Sequence, residues 1–220
     1  MEATITIAIY IHAFLGGIGL LTGIGSMAVK KGGKLHKRMG KIFTLSMITS
    51  CIIIVPISWL PNHESLFLFL ISLFTIYLVL IGRRALTFKS RKKLKAETVD
   101  IAISATMLIF SLFMLAYGAY GFFNRVPDNI LYIIFGGLGL FLTIKNFIFY
   151  KNFKEQKIAW LLVHLTHMIA GLIASITAFI VAGLKLWTIT AWVLPSIIGT
   201  VYIIYWRLKT KGKIGQPKTS

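Results

Sequence analysis

Leu66-Phe67-Leu68-Phe69-Leu70-Ile71-Ser72-Leu73-Phe74-Thr75-Ile76-Tyr77-Leu78-Val79-Leu80-Ile81-Gly82 holds no charged residue and no proline, and ends against Arg83-Arg84. At about 1.5 Å of rise per residue, a helix over Ser65–Gly82 comes close to spanning the ~30 Å hydrocarbon core of a bilayer. Its apolar residues run on without the alternation that the strands of a membrane barrel require. Working outward, the same signature predicts helices over about Thr4–Val29, Leu35 or Lys41 to Leu60, Val99–Phe123, Asn129–Tyr150, Ile158–Ala182 and Leu186–Leu208. The expected architecture is all-α: one polytopic, seven-helix transmembrane bundle over residues 1–208. A basic cytoplasmic tail over 209–220, polar and carrying Gly and Pro, is expected to be disordered.

Composition agrees. Of the 220 residues, 57% are hydrophobic and 14% charged, more apolar side chain than a soluble domain of this length can hide. The formal charge is +18. On a soluble chain that would suggest nucleic acid. Here the charge lies in the connections between apolar runs, so it reads as topology, and no nucleic-acid partner is expected. All of the 24 Lys and Arg except Arg125 and Lys185 fall in alternate connections or the carboxyl end. The positive-inside rule then places the amino terminus outside and the carboxyl terminus in the cytoplasm, facing an anionic leaflet, and an odd number of spans agrees. Met1-Glu2-Ala3-Thr4 lacks the basic start of a signal peptide, so the first run is expected to stay as a membrane helix. Trp59, Trp160, Trp187 and Trp206 fall near expected helix ends, where an indole meets both water and lipid. Cys51, the one cysteine, sits in an apolar run and reads as a buried, inert thiol.

The first helix carries Gly16, Gly17, Gly19, Gly23 and Gly25, and the Gly19-xxx-Gly23 step lets a neighbouring helix or a flat cofactor approach the backbone. A faint echo of Gly16–Leu21 in Gly136–Phe141, and of His36-xxx-Gly40 in His167-xxx-Gly171, raises the expectation of a parallel repeat relating the first two helices to the fifth and sixth.

Histidines carry the chemical expectation. An ionisable group in hydrocarbon is costly and usually faces a bundle interior, and imidazole is the common ligand of metals and haem iron. His164 and His167 lie ~6 and ~10 Å inside the inner boundary, and their i, i+3 spacing is expected to turn both toward one cavity. His12 lies ~12 Å deep from the outer side. His36 sits at the inner mouth of the second helix, beside Lys37 and Arg38. Haem b held by two imidazoles from facing helices is the leading expectation, with ligands drawn from His12, His36, His164 and His167, propionates met by Lys37 and Arg38, and electron transfer to a membrane redox partner. A metal site of His12, His164 and His167 is a related expectation. His63, in a short outer turn, reads as an ordinary loop residue.

Two other classes are weighed. A zinc-dependent membrane hydrolase needs a carboxylate near its ligands, and the six acids lie at helix ends or in loops; Asp100 reads most simply as a helix cap. A small-solute permease or accessory subunit would draw on scattered polar groups such as Thr75, Tyr77, Ser104, Ser111 and Thr143, but hydroxyls commonly bond the carbonyl one turn back.

The string His12-xxx-Gly16-Gly17, Gly23, His36-Lys37-Arg38-Met39-Gly40-Lys41-Ile42-Phe43, with His167-xxx-Gly171 and Thr177-Ala178-Phe179, resembles a bacterial family of predicted multi-pass membrane proteins that carries only a domain-of-unknown-function label. The likeness covers about a third of the chain. It implies a multi-pass protein of the bacterial cytoplasmic membrane, with His12, His36 and His167 as the positions of interest. A remoter likeness to b-type transmembrane cytochromes rests on architecture and histidine placement.

Overall fold

The computed structural model describes residues 2–90, 92–155 and 157–212. Among these residues there are seven α-helices and no strand: α1 (Glu2–Ala28), α2 (Lys34–Ile57), α3 (Leu66–Arg84), α4 (Thr98–Asn124), α5 (Asn129–Asn152), α6 (Ala159–Ala178) and α7 (Ile189–Thr210). Each is long and apolar enough to cross a membrane. A 3-10 turn, Ala85–Lys89, extends α3, and a π turn, Phe179–Gly183, extends α6.

Where helix ends differ from expectation, local chemistry explains it. Ser65 stands outside α3 as its cap, its hydroxyl accepting from Leu68 N at 3.2 Å. The helix runs past Gly82 through Arg83 and Arg84, whose positive charge suits the carbonyl-rich carboxyl end. Lys209 and Thr210 belong to α7 and not to a disordered tail. Lys211 and Gly212 form a turn at the end of α7, and residues 213–220 of the expected tail lie outside the described residues.

The helix α3 occupies the centre, packing on α2, α4 and α6, and Val79 on it is fully buried. The helix α1 packs on α2, α4 on α5, and α6 on α3 and α7. The expected parallel repeat is not supported by this arrangement: α5 has α4 as its main neighbour, while α6 turns to α3 and α7. The glycines of α1 serve helix packing. A Cβ built on Gly19 would meet Met47 Sδ of α2 at 2.6 Å, and one on Gly23 would meet Leu172 of α6 at 2.7 Å and Phe43 of α2 at 3.0 Å.

The connections α1–α2, α3–α4 and α5–α6 and the end of α7 lie at one end of the bundle, which holds nearly all the basic residues and is termed the basic end. There an ion cluster ties α3 to the start of α4. Asp100, 1% exposed, accepts from Glu97 N at 2.9 Å, the cap expected of it. It also turns inward, pairing with Lys93 Nζ at 2.9 Å and with Arg84 Nε. Glu97 takes Arg84 Nη2 at 2.7 Å and Lys93 Nζ at 3.2 Å. At the opposite end, Phe67 packs edge-on against Tyr132 and Trp192, with centroids 5.2 and 5.0 Å apart, joining α3, α5 and α7.

Candidate cofactor cleft and a second polar cavity

Four of the five histidines sit between helices, and each has Nδ1 within hydrogen-bonding reach of a main-chain carbonyl. A carbonyl oxygen only accepts, so Nδ1 carries the hydrogen, and in the neutral ring Nε2 keeps a lone pair.

His12 of α1 donates Nδ1–H to Ser50 O of α2 at 2.9 Å, while the Ser50 hydroxyl donates to His12 O at 2.9 Å. This reciprocal clasp continues the glycine seam. His12 lines neither of the two cavities described below, and in this structure it ties α1 to α2.

His36 and His164 are brought together. Both line a cleft of about 510 Å³ at the basic end, walled by α1, α2, α6 and α7. His36 Nδ1 donates across to Ser26 O of α1 at 2.9 Å, and His164 Nδ1 donates to Gly82 O of α3 at 2.7 Å. Such outer hydrogen bonds fix ring orientation and raise the basicity of Nε2. The two rings come from different helices, and among the described residues neither Nε2 has a protein hydrogen-bond partner. Gly23 and Gly40 also line the cleft, keeping its walls low, and Met27, Phe43, Met168 and Leu172 supply apolar surface.

Cations ring the same cleft: Lys31, Lys37, Arg83 and Lys89. Arg38 does not line it, so only Lys37 of the expected pair is placed to meet an anionic group. Two cations rest on tryptophans of the wall, Lys31 Nζ 5.3 Å from the Trp206 ring and Lys89 Nζ 5.5 Å from the Trp160 ring. Partial burial pulls the Lys31 ammonium below its ordinary value. It donates to Met27 O, which ties the α1–α2 turn to the end of α1.

His167, although only three residues from His164, opens elsewhere. The helix α6 stands between two cavities, and His167 lines the second, of about 690 Å³ between α3, α5, α6 and α7. The expectation that both rings of α6 reach one site is corrected: a three-residue step leaves them ~60° apart around the helix, and the boundary between the two cavities falls within that offset. His167 is 2% exposed, donates Nδ1–H to Val163 O at 3.0 Å, and has Nε2 3.4 Å from Tyr77 Oη. Asn146 Nδ2 donates to Tyr77 Oη at 2.7 Å. Arg207 of α7 donates to Thr166 at 2.8 Å in the same cavity.

Among the described residues no three His, Cys, Asp or Glu side chains gather where they could hold a metal ion, so the set His12, His164 and His167 is not assembled. Cys51 is buried, as expected. The sequence reading missed Asn146 and treated Arg207 only as a marker of topology. Asn146 had a signal: it is an amide inside Phe141–Tyr150, and a polar group at such depth is retained where it has a partner or a role. No family model, curated protein or solved structure matches the chain.

Proposed function

We propose that this chain is a multi-pass protein of a bacterial cytoplasmic membrane, with its amino terminus outside and its basic end in the cytoplasm, and that it binds haem b through His36 and His164 for electron transfer. The orientation rests on the concentration of Lys and Arg at one end of the bundle. The haem reading rests on one observation: two imidazoles from different helices line one cleft, each with Nδ1 held by a main-chain carbonyl and Nε2 left with a lone pair.

The surrounding residues fit such a group. The walls are largely apolar, Gly40 has open space beside it, and Lys31, Lys37, Arg83 and Lys89 supply positive charge for two propionates. His36 and His164 would hold it through Nε2. When bound, the haem supplies a one-electron iron couple, with a potential set by the axial ligands, burial and nearby charge. The protein's part is to orient both rings through Ser26 O and Gly82 O, to exclude water with Met168 and Leu172, and to balance charge with the cations.

The test is an absorption spectrum of the detergent-purified protein, expressed with a haem precursor and recorded oxidised and dithionite-reduced. Sharp bands that shift on reduction are expected, lost in His36→Ala and in His164→Ala and retained in His12→Ala and His63→Ala. A featureless wild-type spectrum removes the reading. Bands that survive loss of both His36 and His164 move the site elsewhere.

A further inference from the structure

The cavity between α3, α5, α6 and α7 contains a chain of polar contacts from His167 through Tyr77 to Asn146, and one end of it is open. Val163 O can only accept, so His167 Nδ1 carries a hydrogen. In the neutral ring Nε2 is then a lone pair, and the Tyr77 hydroxyl hydrogen, turned toward it across 3.4 Å, gives it a donor. Tyr77 Oη is then left to accept, and the Asn146 amide presents its NH₂, at 2.7 Å. The opposite amide assignment would turn the Tyr77 hydroxyl hydrogen to Asn146 Oδ1 and leave His167 Nε2 without a donor. With its NH₂ toward Tyr77, Asn146 has its Oδ1, in a residue 1% exposed, without a donor among the described residues. Asn146 and His167 both line the cavity.

A second observation points to a ligand with oxygen acceptors. Arg207 lines the same cavity, donates to the neutral Thr166 hydroxyl, and has no carboxylate partner among the described residues. Lys145, Asn152, Glu155, Ser196, Thr200 and Lys211 also line it, and the remainder of the wall is apolar, with Phe74 and Phe135 deep inside and Phe141 and Ile204 exposed on the outer flank of the bundle. Such a site takes an apolar molecule from the bilayer that bears at least one hydroxyl donor and a second polar oxygen. The phosphate of an anionic phospholipid satisfies Arg207 but has no hydrogen for Asn146; a headgroup hydroxyl, as in phosphatidylglycerol, can supply one, so that lipid is the competitor to test.

We propose that this cavity binds a lipid-soluble quinol, one hydroxyl donating to Asn146 Oδ1, the second oxygen accepting from Arg207, and the ring among Phe74, Phe135 and their neighbours. The site shares no lining residue with the His36–His164 cleft, so it stands or falls without the haem reading.

The experiment is anaerobic titration calorimetry of the full chain in neutral phosphatidylcholine nanodiscs, using a short-chain benzoquinol and the corresponding quinone. Saturable quinol binding is expected. The quinone, with no hydroxyl to donate, should bind about tenfold more weakly, the value of one well-made hydrogen bond. Asn146→Leu should remove that preference. Leu138→Trp, on the lipid-facing side of the cavity and away from the polar chain, should block both ligands, and guards against misfolding of the Asn146 variant. His36→Ala should leave quinol binding unchanged. The proposal is overturned by absence of saturable quinol binding, by equal affinity for quinol and quinone, or by affinities that neither substitution alters. Displacement of the quinol by phosphatidylglycerol with no dependence on Asn146 overturns it too, and makes the cavity an anionic-lipid site.

Discussion

Each interhelical histidine is held by a different carbonyl, and that choice determines what the ring can do. His12 answers Ser50 across the α1–α2 seam, and the bond back from Ser50 makes the pair self-contained. Interhelical hydrogen bonds in membranes contribute on average about 0.6 kcal/mol each. Ser50→Ala is therefore expected to lower stability by about 1 kcal/mol in a mixed-detergent unfolding titration, and to leave the absorption bands assigned to His36 and His164 unchanged. A change in those bands would mean that His12 acts on the cofactor. The polar character of His12, His36, His164 and His167 was legible in the sequence, because each stands in or beside an apolar run. Their partners were not, since Ser26, Ser50 and Gly82 are ordinary residues until another helix brings a ring to them. His167 shows the limit most clearly, because its i, i+3 relation to His164 was compatible with one shared cavity until the positions of α3, α5 and α7 showed two.

At the scale of elements, α3 and α4 are joined by charge. Asp100 lies almost wholly inside, between Lys93 and Arg84, while Glu97 holds the same two cations from the surface. Removing one member of a buried ion group leaves the others without compensation. Asp100→Ala is expected to cost roughly 3 kcal/mol in the same unfolding assay, and Glu97→Gln much less, because Glu97 is exposed and its ion pairs are screened. Comparable losses from both would show that the cluster acts through surface charge. The hydrogen bond from Arg84, then that from Lys93, holds the Glu97 carboxyl below its ordinary value. Its stabilising share is complete above the ordinary glutamate range and fades as pH falls through the lowered value in the folded state. The helices themselves were nearly all legible to within a few residues, because an uninterrupted apolar run has few alternatives in lipid. The partners of Asp100 were not: the sequence allowed an inward turn beside the simpler helix cap, but gave no sign that Arg84 and Lys93 converge on it.

For the whole molecule, the proposed topology makes a direct statement about sidedness. Single cysteines at Lys92 and Lys154, in a chain with Cys51 replaced by Ala, should react with a membrane-impermeant maleimide only after the inner face is exposed. Cysteines at Asn62 and Arg125 should react in intact cells. The reverse pattern inverts the orientation, and mixed labelling within one loop set would mean that a helix does not cross. All four positions are exposed and lie in connecting segments, so labelling reports side and not burial.

By itself the sequence determined that the chain makes seven long apolar helices with nearly all cationic charge between alternate pairs, and that a few imidazoles lie at depth. These are one-dimensional properties: hydrophobicity and charge act residue by residue against lipid and water, and need no knowledge of neighbours. Only the tertiary structure decided that α3 is central, that the glycines of α1 admit Met47 and Phe43, that His36 meets His164 and not His12, and that Asn146, Tyr77 and His167 join in one chain. Which face of a helix meets which neighbour depends on side-chain shape matched between segments far apart in the chain. An apolar helix offers apolar residues on every face, so its own sequence does not single one out.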